Sequence, residues 1–457
     1  MKSCNPKLKI FFLAIFFFGL FGLAKSSWAV YPVAGRKKFV FSAFLSVAFI
    51  ILASFLFTSP AYGAEYYVSP TGSGTTCLNA SPCSLTTGLG KLVAGDTLYF
   101  KDGTYTRSGT NQYVVLVNKA GALGNHITLK SEHPYGAKID CGETGLGWRD
   151  VHATPCHADE GCYGFLFMSG GRYINVEDFE ITGLCRNGGV WANTGTNNHH
   201  LNFTGNYVHE INGQAFYIGQ GITNIGIYKN HFKNNGYTPT YLDGTHDIYI
   251  WGKDQAIVNN IFENNNAWGR NGYAIQMTGD PTWLPEFQYN FLIANNTFEG
   301  TLPATVSGGS HIRCFTSTVE PRMKNIVIEN NISLYPGDPA HRYFVRVSSG
   351  VGSPLTIRNN IVYPGNVYTL GYPISGTYEN NHDNTDPMVK NIANGDYHLL
   401  STSPAISSGL NSSCPSVDYE GNIRPQPAGG ICDIGAYEYI STPDTTPPAA
   451  PTGLTVN

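Results

Sequence analysis

The sequence predicts an all-β solenoid, a parallel β-helix, on three observations. The first is a recurring unit in which a short apolar strand runs into an Asn-containing bend and leaves it on another apolar residue. It appears as Thr204-Gly205-Asn206-Tyr207, Tyr228-Lys229-Asn230-His231-Phe232, Val258-Asn259-Asn260-Ile261, Ala294-Asn295-Asn296-Thr297-Phe298, Glu329-Asn330-Asn331-Ile332, Arg358-Asn359-Asn360-Ile361 and Glu379-Asn380-Asn381. The second is its period: the reference Asn residues are 24, 30, 36, 35, 29 and 21 residues apart, about 29 on average, the range in which one supersecondary unit stacks on its copies. The third is composition. Gly is 52 of 457 residues and charged residues are 13%, roughly half the usual share of about 25%, while aromatics also reach 13%. That balance excludes a disordered chain and a coiled coil.

Asn suits such a bend. It tolerates the left-handed backbone a sharp corner needs, and its amide both donates and accepts, so stacked copies can bond to one another and to buried bend backbone. Each unit is expected to carry one inward Asn serving both purposes. Val176-Glu177-Asp178-Phe179 reads as one earlier turn with Asp178 in the Asn place.

The chain has three parts by composition. Residues 1–63 hold two apolar runs, Ile10 to Ala24 and Phe39 to Phe57, each with a basic start, and the second leads through Ala61-Tyr62-Gly63. That is the grammar of a secretory signal, with cleavage expected near Gly63; a membrane anchor is the rival reading, since the second run is just long enough to span. Seven of the 28 basic residues and none of the 32 acidic ones fall in this leader, so the remainder carries a net charge of −11. A surface that acidic does not favour a nucleic-acid backbone. Residues 64–440 are the solenoid. Residues 441–457 open with Ser441-Thr442-Pro443-Asp444-Thr445-Thr446-Pro447-Pro448, an extended linker, after which Pro451 to Val456 resembles the first strand of a fibronectin type III domain.

Cysteine usage agrees with export. Cys77/Cys83 and Cys414/Cys432 are expected as local disulfides, Cys156/Cys162 as a third, and Cys314 as a core residue; no CxxC pair suggests a metal.

Several stretches resemble secreted right-handed parallel β-helix proteins of the pectate-lyase-like superfamily. Tyr66-Tyr67-Val68-Ser69-Pro70-Thr71-Gly72, Ala94-Gly95-Asp96-Thr97-Leu98-Tyr99-Phe100 and Asp102-Gly103-Thr104-Tyr105 look like the family's N-terminal cap and first turn. Asp386-Pro387, Asp396-Tyr397-His398-Leu399, Ser403-Pro404-Ala405-Ile406, Arg424-Pro425 and Asp433-Ile434-Gly435-Ala436-Tyr437-Glu438 look like its C-terminal closing segment. The resemblance spans about residues 65 to 440. It implies the fold and leaves the activity open, because the superfamily holds lyases, hydrolases, epimerases and non-catalytic surface proteins.

Aligning the strand after each bend gives Phe216-Tyr217-Ile218, Ile248-Tyr249-Ile250, Ile275-Gln276-Met277, Ile312-Arg313-Cys314 and Val345-Arg346-Val347. Strand alternation turns the flanking apolar residues inward. Tyr217, Tyr249, Gln276, Arg313 and Arg346 then form one exposed column, with Asp247, His311, Trp251 and Phe315 at neighbouring outward positions and His246, Lys253, Arg270 and Trp283 in adjoining loops. Aromatic faces suit sugar rings and Arg forks suit carboxylates. The expected partner is an acidic polysaccharide, and the expected reaction is β-elimination beside a uronate carboxylate. Arg313 and Arg346 would bind that carboxylate. Tyr249, His311 or Lys253 would act as base and Tyr217 or His246 as acid, while Asp247, Trp251, Arg270 and Gln276 would complete substrate binding. No adjacent-acid cluster like that of calcium-dependent pectate lyases appears, Asp243 with Asp247 being the nearest, so no metal ligand is assigned and a role for Ca2+ stays open. The alternatives are a hydrolase drawing on Asp243, Asp247, Asp254 and Glu210, or a non-catalytic cell-surface glycan binder. The mature chain is expected to be a monomer, secreted or at the cell surface, free of the membrane once the leader is removed.

Overall fold

The computed structural model describes residues 63–441 apart from 109–110, 143–161, 169, 184, 186, 193–196, 237–245, 264–272, 280–287, 301–309, 317–321, 337–341, 349 and 371–375. The leader, the linker with its fibronectin-like start, and Cys156, Asp243, Arg270 and Trp283 lie outside the described residues.

Among the described residues, three long sheets of parallel strands form the body of the chain, with one antiparallel pair, Val389–Asn391 and Asp396–Leu399, beside them. The first has 11 strands, from Glu65–Val68 to Thr377–Glu379; the second has nine, from Tyr113–Val117 to Asn366–Leu370; the third has nine, from Gly103–Thr106 to Ile361–Tyr363. One coil passes through all three, as in Gln214–Ile218 of the second sheet, Thr223–Tyr228 of the first and His231–Lys233 of the third. Each strand pairs in parallel with its counterpart one coil on: Leu201 lies beside Ile225, and Ile225 beside Gln255. Parallel strands joined by a crossover wind right-handed, so the architecture is the expected right-handed parallel β-helix.

Inward positions repeat the same residue type along the axis. Phe203, Ile227, Ile257, Ile293, Ile328 and Ile357 are all buried in one row. Phe232, Phe262 and Phe298 stack with ring centroids 5.0 and 4.6 Å apart and planes within 8° and 4°, close to the strand spacing of about 4.8 Å that forces equivalent residues into contact.

The bend joining the first sheet to the third is two residues long in eight of nine coils, and its two residues divide the work that the sequence reading gave to one. The first takes the left-handed conformation: φ is 66° at Asp178, 69° at Gly205, 57° at Lys229, 59° at Asn259, 54° at Asn295, 57° at Asn330 and 51° at Asn359. The second is the inward Asn. Its amide Nδ2 donates to Oδ1 of the next one along an unbroken line from Asn206 through Asn230, Asn260, Asn296, Asn331 and Asn360 to Asn381, at 2.9–3.1 Å. The same Oδ1 accepts the preceding coil's backbone N–H, and Nδ2 also reaches a carbonyl of the coil before, as from Asn296 to Ile257 at 2.9 Å. Asp178 therefore holds the strained place rather than the ladder place. Phe179 follows it, and the ladder ends where its backbone N–H donates to Asn206 Oδ1 at 3.1 Å.

Both ends are closed as the resemblance implied. Strand Glu65–Val68, a short helix Leu85–Lys91 capped by Ser84, and the Cys77–Cys83 disulfide cover the first coil. The C-terminal segment runs back over the third sheet, burying Ile261, Ile332, Leu334 and Ile361 beneath Tyr397, Leu399, Ala405, Ile434, Ala436 and Tyr437. The strained Asn residues fasten it: Asn259 donates to the Val417 carbonyl, Asn295 to Asp433, Asn330 to Leu410 and Asn359 to Ser408, at 2.6–3.2 Å.

The disulfide expectations are corrected in two respects. Cys414 and Cys432 are free thiols in hydrogen-bond contact rather than a disulfide, and a bridge absent from the expectations joins Cys141 to Cys185 across successive coils, 44 residues apart. Cys162 is disulfide-bonded, and Cys314 is buried in the core as expected.

Asn296 accepts two hydrogen bonds and donates to two partners inside the coil. Asn296→Ala is expected to cost at least about 3 kcal/mol, because several buried groups lose partners at roughly 1–3 kcal/mol each. The check is urea unfolding, with a lower midpoint at unchanged slope.

Candidate active site

The connection between the first and third sheets is two residues long in eight of nine coils, so most variation in coil length falls elsewhere. It falls at the edges of the second sheet. The strands of that sheet are entered by connections of 6, 22, 5, 4, 14, 11, 10, 8 and 2 residues and left by connections of 2 to 9. A rigid sheet bordered by variable loops is where a scaffold usually places its chemistry.

The aligned column exists on this sheet. Tyr217 is in register with Tyr249, Tyr249 with Gln276, Gln276 with Arg313, and Arg313 with Arg346. It also extends one coil further than the sequence reading carried it, because Trp191 is in register with Tyr217. The Trp191 and Tyr217 rings stack at 3.8 Å with planes 9° apart, and Tyr217 and Tyr249 at 5.6 Å and 20°. Equivalent positions on successive coils turn their faces toward each other, so these rings offer the surface their edges and polar tips rather than the open faces expected from sequence.

Arg313 dominates the electrostatics. Its guanidinium lies over Phe315 at 4.2 Å and over Tyr273 at 5.2 Å, with Nη1 donating to Gln276 Oε1 at 3.5 Å. Burial lowers its pKa, with the neighbouring Arg346 adding to the effect. Among the described residues no carboxylate pairs with it. A half-buried cation held by aromatic rings beside a second cation is arranged to receive an anion.

Other expected site residues are placed differently. His311 and Asp247 occupy the corner row that also holds Ala215, Ala274 and Phe344. There the coil bends into the second sheet, and two consecutive residues turn inward. His311 is buried: it stacks on Phe298 at 5.5 Å and meets Ser333 Oγ through Nδ1 at 2.9 Å. Burial lowers its pKa to about 4, so it is a neutral interior residue and not the outward base. Asp247 is also buried, and its Oδ1 accepts from Asn235 Nδ2 at 3.0 Å while Oδ2 has no partner. Burial raises its pKa well above the usual range, which favours the protonated carboxyl. Trp251 is buried rather than exposed, with its indole N–H unpaired. Lys253 belongs to the first sheet and sets its ammonium over the Tyr289 ring at 5.2 Å, round the corner from the column. His246 is buried beside the column, stacked on Tyr249 and Tyr273 at 5.5 Å each, with Nδ1 accepting the Tyr273 N–H at 3.0 Å. Burial, aided by Arg313, lowers its pKa to about 3.

Of the carboxylates considered for a hydrolase, the three described do not oppose one another. Asp247 is buried in the corner, Asp254 lies exposed on the first sheet, and Glu210 is exposed after a third-sheet strand. Among the described residues one group of three ligating side chains gathers, Asp102, Glu132 and His133, beside the first coils. Lys101 already meets Glu132 there at 2.8 Å. At the column the described acid is Asp247, buried in the corner with Oδ1 on Asn235.

The chain is thus a parallel β-helix protein. No family model matches the sequence. Pectate lyase PEL9 of Emericella nidulans is 27% identical over 175 residues, 37% of this chain, and the chain spans 40% of that relative's length. In structure, the chain is similar to the crystal structure of pectate lyase Pel9A, with a TM-score of 0.50 and 15% identity over 83% of this chain and 97% of that one. Among the described residues no helix is long and apolar enough to cross a membrane.

His246 and His311 fold in neutral form with pKa values of about 3 and 4, below the unfolded value of about 6.5. The unfolded chain therefore binds more protons at acidic pH. Stability is fully present above pH ~6.5 and is lost as pH falls toward the folded values. Denaturant titrations over that window should show this slope, and His246→Asn, which retains an acceptor for Tyr273, should flatten part of it.

Proposed function

We propose that the chain is a polysaccharide lyase that binds an acidic, uronate-bearing polysaccharide along the second sheet and cleaves it by β-elimination. The observation that carries this reading is Arg313, a half-buried guanidinium with no carboxylate partner among the described residues, in register with Arg346. If the column merely balanced local acids, Arg313 would have one. The similarity to pectate lyases points the same way, as does the export grammar of the leader for a protein acting outside the cell or at its surface.

The chemistry follows from the order of side chains. Arg313, with Arg346 beside it, holds the uronate carboxylate and stabilises the charge that spreads onto it when the adjacent C–H proton leaves. Tyr249 is the base. It interacts electrostatically with Arg313, and lies two coil steps along the column from the carboxylate that Arg313 would hold. As the proton passes to Tyr249, the electron pair forms the new C=C bond and the neighbouring C–O glycosidic bond breaks. The departing oxygen takes a proton from Tyr217, one coil away. His246, neutral and stacked on Tyr249, holds that ring in place.

The test is absorbance at about 235 nm, where the unsaturated product absorbs, over a panel of polyuronates. Turnover is expected in the wild type, and Arg313→Ala should lower kcat/KM by about 10²–10³-fold with the fold intact. Unchanged turnover in Arg313→Ala overturns the assignment. Reducing ends without absorbance indicate hydrolysis instead.

A further inference from the structure

The column is not uniform along its length. Read from the N-terminal coils it runs Leu116, Leu166, Trp191, Tyr217, Tyr249, Gln276, Arg313 and Arg346. The first six are uncharged and the last two are cationic. From Trp191 to Arg346 there are five coil steps, roughly 24 Å at strand spacing, long enough to engage several sugar residues of one chain at once.

The two halves make opposite demands on a ligand. At the Arg end an uncharged sugar would cover a half-buried guanidinium without supplying its counter-charge, which is costly; a carboxylate removes that cost. At the Trp end the reverse holds. Trp191 is half-buried between Tyr217, Tyr163 at 5.3 Å, and the register neighbour Leu166, which is buried. A carboxylate placed on that rim would lose water and find no cation in the column. An uncharged sugar, with its apolar C–H surface, is not penalised there.

We propose that Trp191 forms a distal subsite for an uncharged sugar residue, so that the site selects polyuronate chains in which uncharged residues, such as esterified ones, lie several sugars away from a run of free carboxylates. This inference rests on the reading that the second sheet binds an acidic polysaccharide. The polymer lies along the coil axis, with its anionic run on Arg313 and Arg346 and its uncharged part on Trp191 and Tyr217.

The experiment measures affinity by calorimetric titration of the full chain with two probes, fully de-esterified polygalacturonate and the same polymer partly methyl-esterified in blocks. The wild type is expected to prefer the block-esterified form. Trp191→Ala is expected to lower the ratio of the two affinities about 10-fold, the loss of one aromatic contact of about 1.4 kcal/mol. Trp191→Phe, which keeps a ring on Tyr217, should retain most of the preference. Arg313→Ala should weaken both polymers together, and that variant tests the underlying reading separately. A wild type that prefers the de-esterified polymer, or a Trp191→Ala variant with an unchanged ratio, overturns the subsite. If neither polymer binds the wild type, the acidic-polysaccharide reading falls and the subsite falls with it.

Discussion

The Asn ladder is the constraint from which the rest of the molecule follows. Each ladder amide accepts from the coil on one side and donates to both, so adjacent coils cannot slip by a residue without leaving buried donors and acceptors unpaired. Because the bend is held at two residues in eight of nine coils, nearly every first-sheet strand hands over to its third-sheet strand in the same way. Register is thereby passed round the coil to the second sheet, where residues 26 to 37 positions apart in sequence become neighbours. The left-handed residue beside each ladder Asn adds a second use. Where it is Asn, from Asn259 to Asn359, its side chain ties down the C-terminal segment that seals the third sheet.

With one corner rigid and one sheet covered, the second sheet is left as the face that can vary. Its loops absorb the insertions, and its outward column gathers side chains of like kind because stacking places equivalents in contact. The consequence is electrostatic as well as steric. Aromatic rings on neighbouring coils satisfy one another, whereas Arg313, repelled by Arg346 beside it, has no carboxylate partner among the described residues. A repeat fold that stacks cations in register builds a demand for a polyanion into its own geometry.

The fold was legible because the doublets Asn259-Asn260, Asn295-Asn296, Asn330-Asn331 and Asn359-Asn360 mark the coil period directly, and the column was legible because apolar residues flank Tyr217, Tyr249, Gln276, Arg313 and Arg346 on both sides. What was not legible has identifiable physical causes. Period-two alternation describes a straight strand, and at the corner preceding each second-sheet strand it fails, so His311 and Asp247 point inward. Trp191 carried the same apolar-x-apolar pattern in Val190-Trp191-Ala192 but escaped notice because its coil has Phe179 where the others have the ladder Asn. The Cys141–Cys185 bridge joins residues that only the coiling brings close. The division of labour within the Asn doublet depends on backbone angles that residue identity alone does not specify.

The central claim is that a single polysaccharide chain lies along the second sheet, parallel to the coil axis, because coil stacking has lined up its contacts there. The most direct measurement is the crystal structure of the chain with a uronate oligosaccharide. The account predicts sugar density running along the column from Tyr217 to Arg346, with a carboxylate engaged by the Arg313 guanidinium. Density on the first or third sheet, or an oligosaccharide crossing the column without touching Arg313, would contradict it.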